Sequence, residues 1–225
     1  MKASVFSIYM SNICNDVVAA QHACVSKYLP ADWEFHQYLH SPQQFEIRHH
    51  AAAISRCIQE SINDVIILLD IDCIPLTRNA FQFLSWAAHR GDLVGAVQRA
   101  NHINNNEHLY VGPFCMAFSK KKYIEVGSPS FNETSRGDCG EELTYRWQEN
   151  GEVVRFLWPS AIEQPTWDLI AGKKFGYGTT YDGFFYHSFC SRDRTTRERF
   201  LNKCRSILNQ KEGAFLSCVQ SQLSY

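Results

Sequence analysis

From Val65 to Leu76 the chain reads VIILLDIDCIPL: five consecutive large apolar residues run into Asp70 and Asp72, and Pro75 stops the run. An unbroken apolar run, unlike an alternating one, suits a central parallel strand covered by helices on both faces. Around it, VFSIYM near the start, WEFHQYL after Trp33, DLVGAV from Asp92 and YVGPFCMAF from Tyr110 read as further strands. They alternate with helical patterns, which predicts an α/β sheet. Ile47, Ala51, Ile54, Ile58 and Ile62 recur at steps of four and three, placing one apolar stripe on a helix against that sheet. Thr77 is a cap for a helix from about Arg78, with Phe81, Leu84 and Ala88 on one face and Gly91 at its end. The two acids therefore lie in a strand-to-helix connection.

Farther on, EELTYRWQENG predicts a helix closed by Gly151, and VVRFLWP a strand ended by Pro159. From Ala171 to Tyr186, four glycines among many aromatics predict a loop that orders over a ligand. Phe200, Leu201, Cys204, Ile207 and Leu208 return to one helical face. Neither a repeat nor a linker interrupts the pattern.

Composition narrows the class. The chain has 225 residues, 45% of them apolar and 20% charged, with a net charge of −1. That length is enough to bury a full core and implies one domain. Nucleic acid is excluded as a partner by the absence of a basic footprint. No apolar run reaches the length of a signal peptide or a membrane span, so the expected location is the cytoplasm. Nine cysteines, an odd number with no two closer than Cys14 and Cys24, read as free, buried thiols. In that compartment the sequon Asn132-Glu133-Thr134 is a chance match.

The acids carry the chemistry. Side chains at i and i+2 of a strand share a face, so Asp70 and Asp72 are expected to converge at the C-terminal end of the central strand, where open α/β sheets bind ligands. Two ionised carboxylates so close repel by several kcal/mol at an effective dielectric of roughly 20 unless a cation compensates. Mg2+ or Mn2+ fits so small a set of hard oxygen donors. The plainer alternative is that both acids cap the next turn. A second group, Gly137-Asp138-Cys139-Gly140-Glu141-Glu142, opens the EELTYRWQENG helix, where acids favour the helix dipole. One of them, Asp138, is suited to accept a proton from an incoming hydroxyl. His187, in FFYHSFC, is a third candidate ligand, although a lone His among aromatics is commonly just packed.

In this order, Asp70-Ile71-Asp72 after VIILL, DCGEEL from Asp138 to Leu143 and the late His187 resemble glycosyltransferases of the GT-A fold. The resemblance spans nearly the whole chain, with D-x-D its one strict motif. It implies a Rossmann-like single domain with a mostly parallel central sheet flanked by helices. The nucleotide-binding half would cover about 1–100, the acceptor half about 101–190 and a C-terminal helix about 193–222. It also implies a nucleotide-sugar donor, most simply a UDP-sugar, a carbohydrate or glycoconjugate acceptor, and a divalent metal. Asp72 resembles the direct metal ligand, Asp70 the residue touching ribose or metal through water, and His187 the C-terminal ligand some members have. Asp138 is the chosen base, with Glu141 and Glu142 as rivals. The usual Glu-Asp pair is missing, because Gly140 stands where the catalytic Asp would fall, so base and stereochemistry stay open, with inversion preferred to retention.

Lys173, Lys174, Arg192 and Arg194 are candidates to add charge at the diphosphate, with Lys174 and Arg192 the choices. Ser7, Tyr9, Arg48 and His49 are chosen for the nucleotide pocket. Trp167, Tyr177, Tyr181 and Phe184 are candidate walls for a sugar, or else core. Two rival functions share some of these features. Haloacid dehalogenase-like phosphohydrolases also present D-x-D after an apolar strand, but Ile74 stands where they prefer Thr or Val, the motif lies far from the chain start, and GDCGEE follows a polar stretch. The other rival is a non-catalytic carbohydrate-binding protein on a transferase-like sheet.

Overall fold

The computed structural model describes residues 2–40 and 47–210; of residues 47–49 it describes the backbone only. Chain order begins β1 (Ala3–Met10), α1 (Asn15–Tyr28), β2 (Glu34–His40), α2 (Ile47–Glu60), β3 (Val65–Asp70), β4 (Cys73–Pro75), α3 (Arg78–His89), β5 (Leu93–Arg99) and β6 (Leu109–Ser119). It continues through α4 (Lys120–Glu125), α5 (Glu141–Glu149), β7 (Val154–Leu157), β8 (Pro159–Asp168), β9 (Lys174–Tyr181), β10 (Phe185–His187) and α6 (Arg194–Asn209).

The apolar run of β3 is central because both its faces are covered. Val65, Ile67 and Leu69 pack with Ala80, Phe81, Leu84 and Ala88 of α3, while Ile66 and Leu68 pack with Ala51, Ile54 and Ile58 of α2 and with Leu143 and Trp147 of α5. The main sheet runs β2-β1-β3-β6-β5-β7. It is mostly parallel: β1 pairs parallel with β2 and β3, and β5 with β7, while β6 lies antiparallel to both its neighbours. A second, antiparallel sheet runs β4-β10-β9-β8 and starts directly after the acids. Together they form a mixed α/β domain with helices on both faces of the main sheet. No helix among the described residues is long and apolar enough to cross a membrane.

Several local expectations are corrected. Residues 171–186 are not a loop: they hold β9, β10 and the short turns beside them. Gly176 is there because β8 lies too close for a side chain; a Cβ would stand 2.2 Å from the Gln164 carbonyl oxygen and 2.6 Å from the Thr166 nitrogen. Pro159 starts β8 rather than only ending β7, which suits a residue that donates no ladder bond. On the helices, α2 stops at Glu60 and leaves Ile62 79% exposed, and Leu208 at the end of α6 is 39% exposed, so neither belongs to its stripe. Thr77 occupies the N-cap of α3 without a side-chain cap bond. The expected tail helix is α6 as far as Asn209, and positions 211–222 lie outside the described residues.

Candidate functional site

Asp70 ends β3 on the face of Ile66 and Leu68, which turns it toward α2. Asp72 reaches the same point by a different route from strand periodicity, since Ile71 and Asp72 form a turn between β3 and β4. The pairing of β4 with β10 sets His187 opposite Cys73, and thereby beside the acids. His187 Nε2 lies 3.0 Å from Asp72 Oδ1 and 3.9 Å from Asp70 Oδ2. One donor atom from each of the three falls within 4.8 Å of the others. The His187 ring packs against both Phe114 and Phe189, at centroid distances of 4.2 and 3.8 Å. Its Nδ1 is buried and has no hydrogen-bond partner among the described residues.

The surroundings separate the two carboxyls. Burial raises Asp70 above the ordinary carboxylate range, against the opposing pull of His50 and His187. Burial pushes Asp72 the same way, but His187 and the Ser191 N–H, which donates to Oδ2 at 3.0 Å, outweigh it and hold Asp72 low. Phe189 and Cys190 both adopt left-handed backbone, φ 58° and 53°, in the turn that brings that N–H round. From α1, fully buried Gln21 donates through Nε2 to the Asp70 carbonyl at 2.6 Å and the Cys73 carbonyl at 3.1 Å, clamping the turn from behind.

Above the acids opens a cavity of about 300 Å3. It is lined by Ile8, Tyr9, Met10 and Ile13, by His40, His50, Asp70, Ile71 and Asp72, and by Glu133, Asp138, Cys139, Cys190, Ser191 and Arg192; His187 lies behind this lining, buried. Of the residues expected from sequence, Tyr9, Asp70, Ile71, Asp72, Asp138 and Arg192 meet here. Ser7 does not: it is fully buried within β1. Lys174 pairs with Asp168 at 2.7 Å on the second sheet, Lys173 lies over Trp158, and Arg194 pairs with Glu198. Tyr181 is core, Phe184 stacks on Phe83, and Trp167 packs with Phe175, Tyr177 and Phe189. The side chains of Arg48 and His49 lie outside the described residues.

The three acids of DCGEEL divide by contact. Asp138 faces the cavity; its Oδ1 accepts from the Cys139 N–H at 2.6 Å and its Oδ2 from the Tyr110 hydroxyl at 3.1 Å. Burial, reinforced by the charge of Asp138, raises the Tyr110 phenol well above its usual value, so it remains a donor. Glu141 is fully buried, with Oε1 bonded by Asn105 Nδ2 and His108 Nδ1 at 2.7 and 2.6 Å. Glu142 is forked by Arg136 at 2.6 and 2.9 Å and approached by Arg146 at 3.2 Å. At the rim, His102 and Glu133 bring donor atoms within 4.8 Å of Asp138.

Sequence reasoning passed over His50, Gln21, Cys139 and Ser191. His50 had a readable signal: it lies three residues after Ile47 and four before Ile54, on the inward side of α2, and its Nε2 is 3.7 Å from Asp70 Oδ1. Gln21 had a weaker one, in the run Val17, Gln21, Cys24, Val25, Tyr28 along α1. Cys139 and Ser191 had none, because loop paths bring them in.

No protein-family model matches the sequence, and no curated protein matches it either. Solved structures do. A mutant of Drosophila β1,4-galactosyltransferase 7 in complex with manganese, UDP-Gal and xylobiose superposes with a TM-score of 0.51 at 15% identity, over 94% of this chain and 81% of that one. The catalytic domain of the same Drosophila enzyme with xylobiose gives 0.50 at 15% identity, over 88% and 79%. A putative glucose-1-phosphate thymidylyltransferase from Bacillus anthracis in complex with a sucrose gives 0.51 at 9% identity, over 94% and 97%. The likeness is one of fold, a GT-A-like α/β architecture, and proteins named for two different reactions share it.

Proposed function

We propose that this chain is a metal-dependent glycosyltransferase that moves a sugar from a nucleotide sugar, a UDP-sugar by preference, to a hydroxyl of a glycan or glycoconjugate. The observation that carries the reading is the convergence of Asp70, Asp72 and the buried His187 beside a cavity that Asp70, Asp72 and Asp138 line. The donor set fits Mn2+ or Mg2+: two carboxylates in unlike environments and an imidazole whose Nε2 faces both of them. When bound, such an ion acts as a Lewis acid that neutralises the charge growing on a departing nucleoside diphosphate. Arg192 adds positive charge at the cavity, close enough to act on Asp70, and Ile8, Tyr9 and Met10 supply apolar lining for a base. Asp138 takes the proton of the acceptor hydroxyl. Each of its oxygens already accepts one hydrogen bond, which leaves each a lone-pair direction for the incoming group. One base on the acceptor side favours inversion at the transferred carbon. On this reading residues of about 1–100 serve the nucleotide and about 101–190 the acceptor, with His102 and Glu133 beside Asp138 as polar contacts for sugar hydroxyls.

Binding of Mn2+ and UDP tests this directly. At about 100 times Kd a ligand contributes roughly 2.7 kcal/mol, or about 5–10 °C of melting temperature for a chain of this size. Mn2+ and UDP together are expected to raise the melting temperature by more than the sum of their separate effects, and Asp72→Ala to remove that synergy. A folded protein with no synergy, or one releasing phosphate from a phosphomonoester instead, would overturn the reading.

A further inference from the structure

Glu141 is an acid that the transfer chemistry leaves without a task. It is fully buried, yet both its oxygens are engaged: Oε1 by Asn105 Nδ2 at 2.7 Å and His108 Nδ1 at 2.6 Å, Oε2 by the backbone N–H of Asp138 at 2.9 Å. Its own N–H donates back to the Asp138 carbonyl at 2.9 Å, so the two residues are locked reciprocally, as in a capping box. Gly137 lets the chain pass over it, since a Cβ there would meet Glu141 Cβ and Cγ at 3.0 Å. His108 is fixed in turn: its ring stacks on Tyr145 at 3.8 Å and 9°, and its Nε2 lies 3.0 Å from Gln148 Oε1. Arg136 covers Tyr145 at 4.4 Å and forks Glu142.

We infer that Glu141 is a positioning residue, a buried post that ties the loop of residues 101–108 to the loop of residues 137–140 and so aims the Asp138 carboxylate into the cavity. A buried carboxylate is costly unless its lone pairs are met, and here donors from both loops meet them. Moving either loop would break a charge-assisted bond, so the two move together or not at all. Glu141 thus touches no substrate. The role of Asp138 as base rests on the transferase reading; the coupling of the loops does not.

The test separates these. In Glu141→Gln the amide must turn its NH2 toward a donor on one side, so amide exchange of the protein alone, followed by NMR, is expected to accelerate in residues 101–108 and at Asp138 and Cys139 while the β3 amides stay protected. His108→Ala should act likewise if Glu141→Gln fails to fold, and His108→Asn, which restores a donor, should reverse it. Unchanged exchange in the two loops overturns the inference whether or not the chain transfers sugar. The second readout is UDP release from a UDP-hexose with Mn2+. Glu141→Gln should lower kcat about 10–100-fold, the cost of a slightly misplaced group, with donor KM unchanged. Combined with Asp138→Asn it should be no slower than Asp138→Asn alone, because its effect passes through that carboxylate. Multiplication of the two losses overturns the inference. If the wild type releases no UDP, the transferase reading falls and the exchange experiment decides the post.

Discussion

Cys139 lines the cavity and links His50 to Asp138. Its sulfur is 3.8 Å from Nδ1 of His50, whose other nitrogen faces Asp70, and its N–H holds Asp138. Burial first, and the charge of Asp138 second, push its thiol up to about 12. Because the thiolate is the reactive form, a free cysteine near pKa 8.5 is about half reactive at pH 8.5. Cys139 is then almost wholly thiol, and its thiolate fraction grows as pH rises toward about 12. Iodoacetamide labelling followed by peptide mapping is therefore expected to be at least about 100-fold slower at Cys139 than at a free thiol at pH 8.5, to accelerate with pH, and to speed up in Asp138→Asn. Labelling at the free-thiol rate would contradict this environment. Which acids carry an unusual charge was legible at this scale: Asp70 and Asp72 were marked by the apolar run before them. The division of labour within DCGEEL was not, because Glu141 is buried by His108 and Asn105, whose sequence context carries no sign of it.

At the scale of elements, the long and strongly periodic segments were legible and the second sheet was not. Nothing local marks β9 as a strand, since its register is set by β8 and β10. Gly176 records a close approach of backbones, which in sequence looks the same as a turn. The distinction is measurable. Gly176→Ala places a methyl against the backbone of β8 and is expected to cost roughly 1–3 kcal/mol, as overpacking does, read as a lower urea midpoint at unchanged slope. Within a loop the same change would be nearly neutral. Helix α1 escaped notice because its inward face mixes Gln21 and Cys24 with Val17 and Val25, too little contrast for a periodic signal.

For the whole molecule, the expectation of free thiols agrees with the described residues, whose eight cysteines are all free. A native disulfide is worth about 2–4 kcal/mol, so a reductant such as dithiothreitol is expected to leave the melting temperature where it is; a fall of several degrees would reveal a bond. What the sequence by itself determined is the part of the fold written in short-range periodicity: a buried central strand with both faces covered, the helices α2, α3 and α6, and two acids too apolar in their setting to be idle. Only the tertiary structure decided which groups those acids meet. Asp72 and His187 are 115 positions apart, and β4 and β10 bring them together through a ladder of three residue pairs. Periodicity reports how side chains a few residues apart share a face. Contacts across such a span depend on packing between elements that carry no mark of one another, and they are where this site is made.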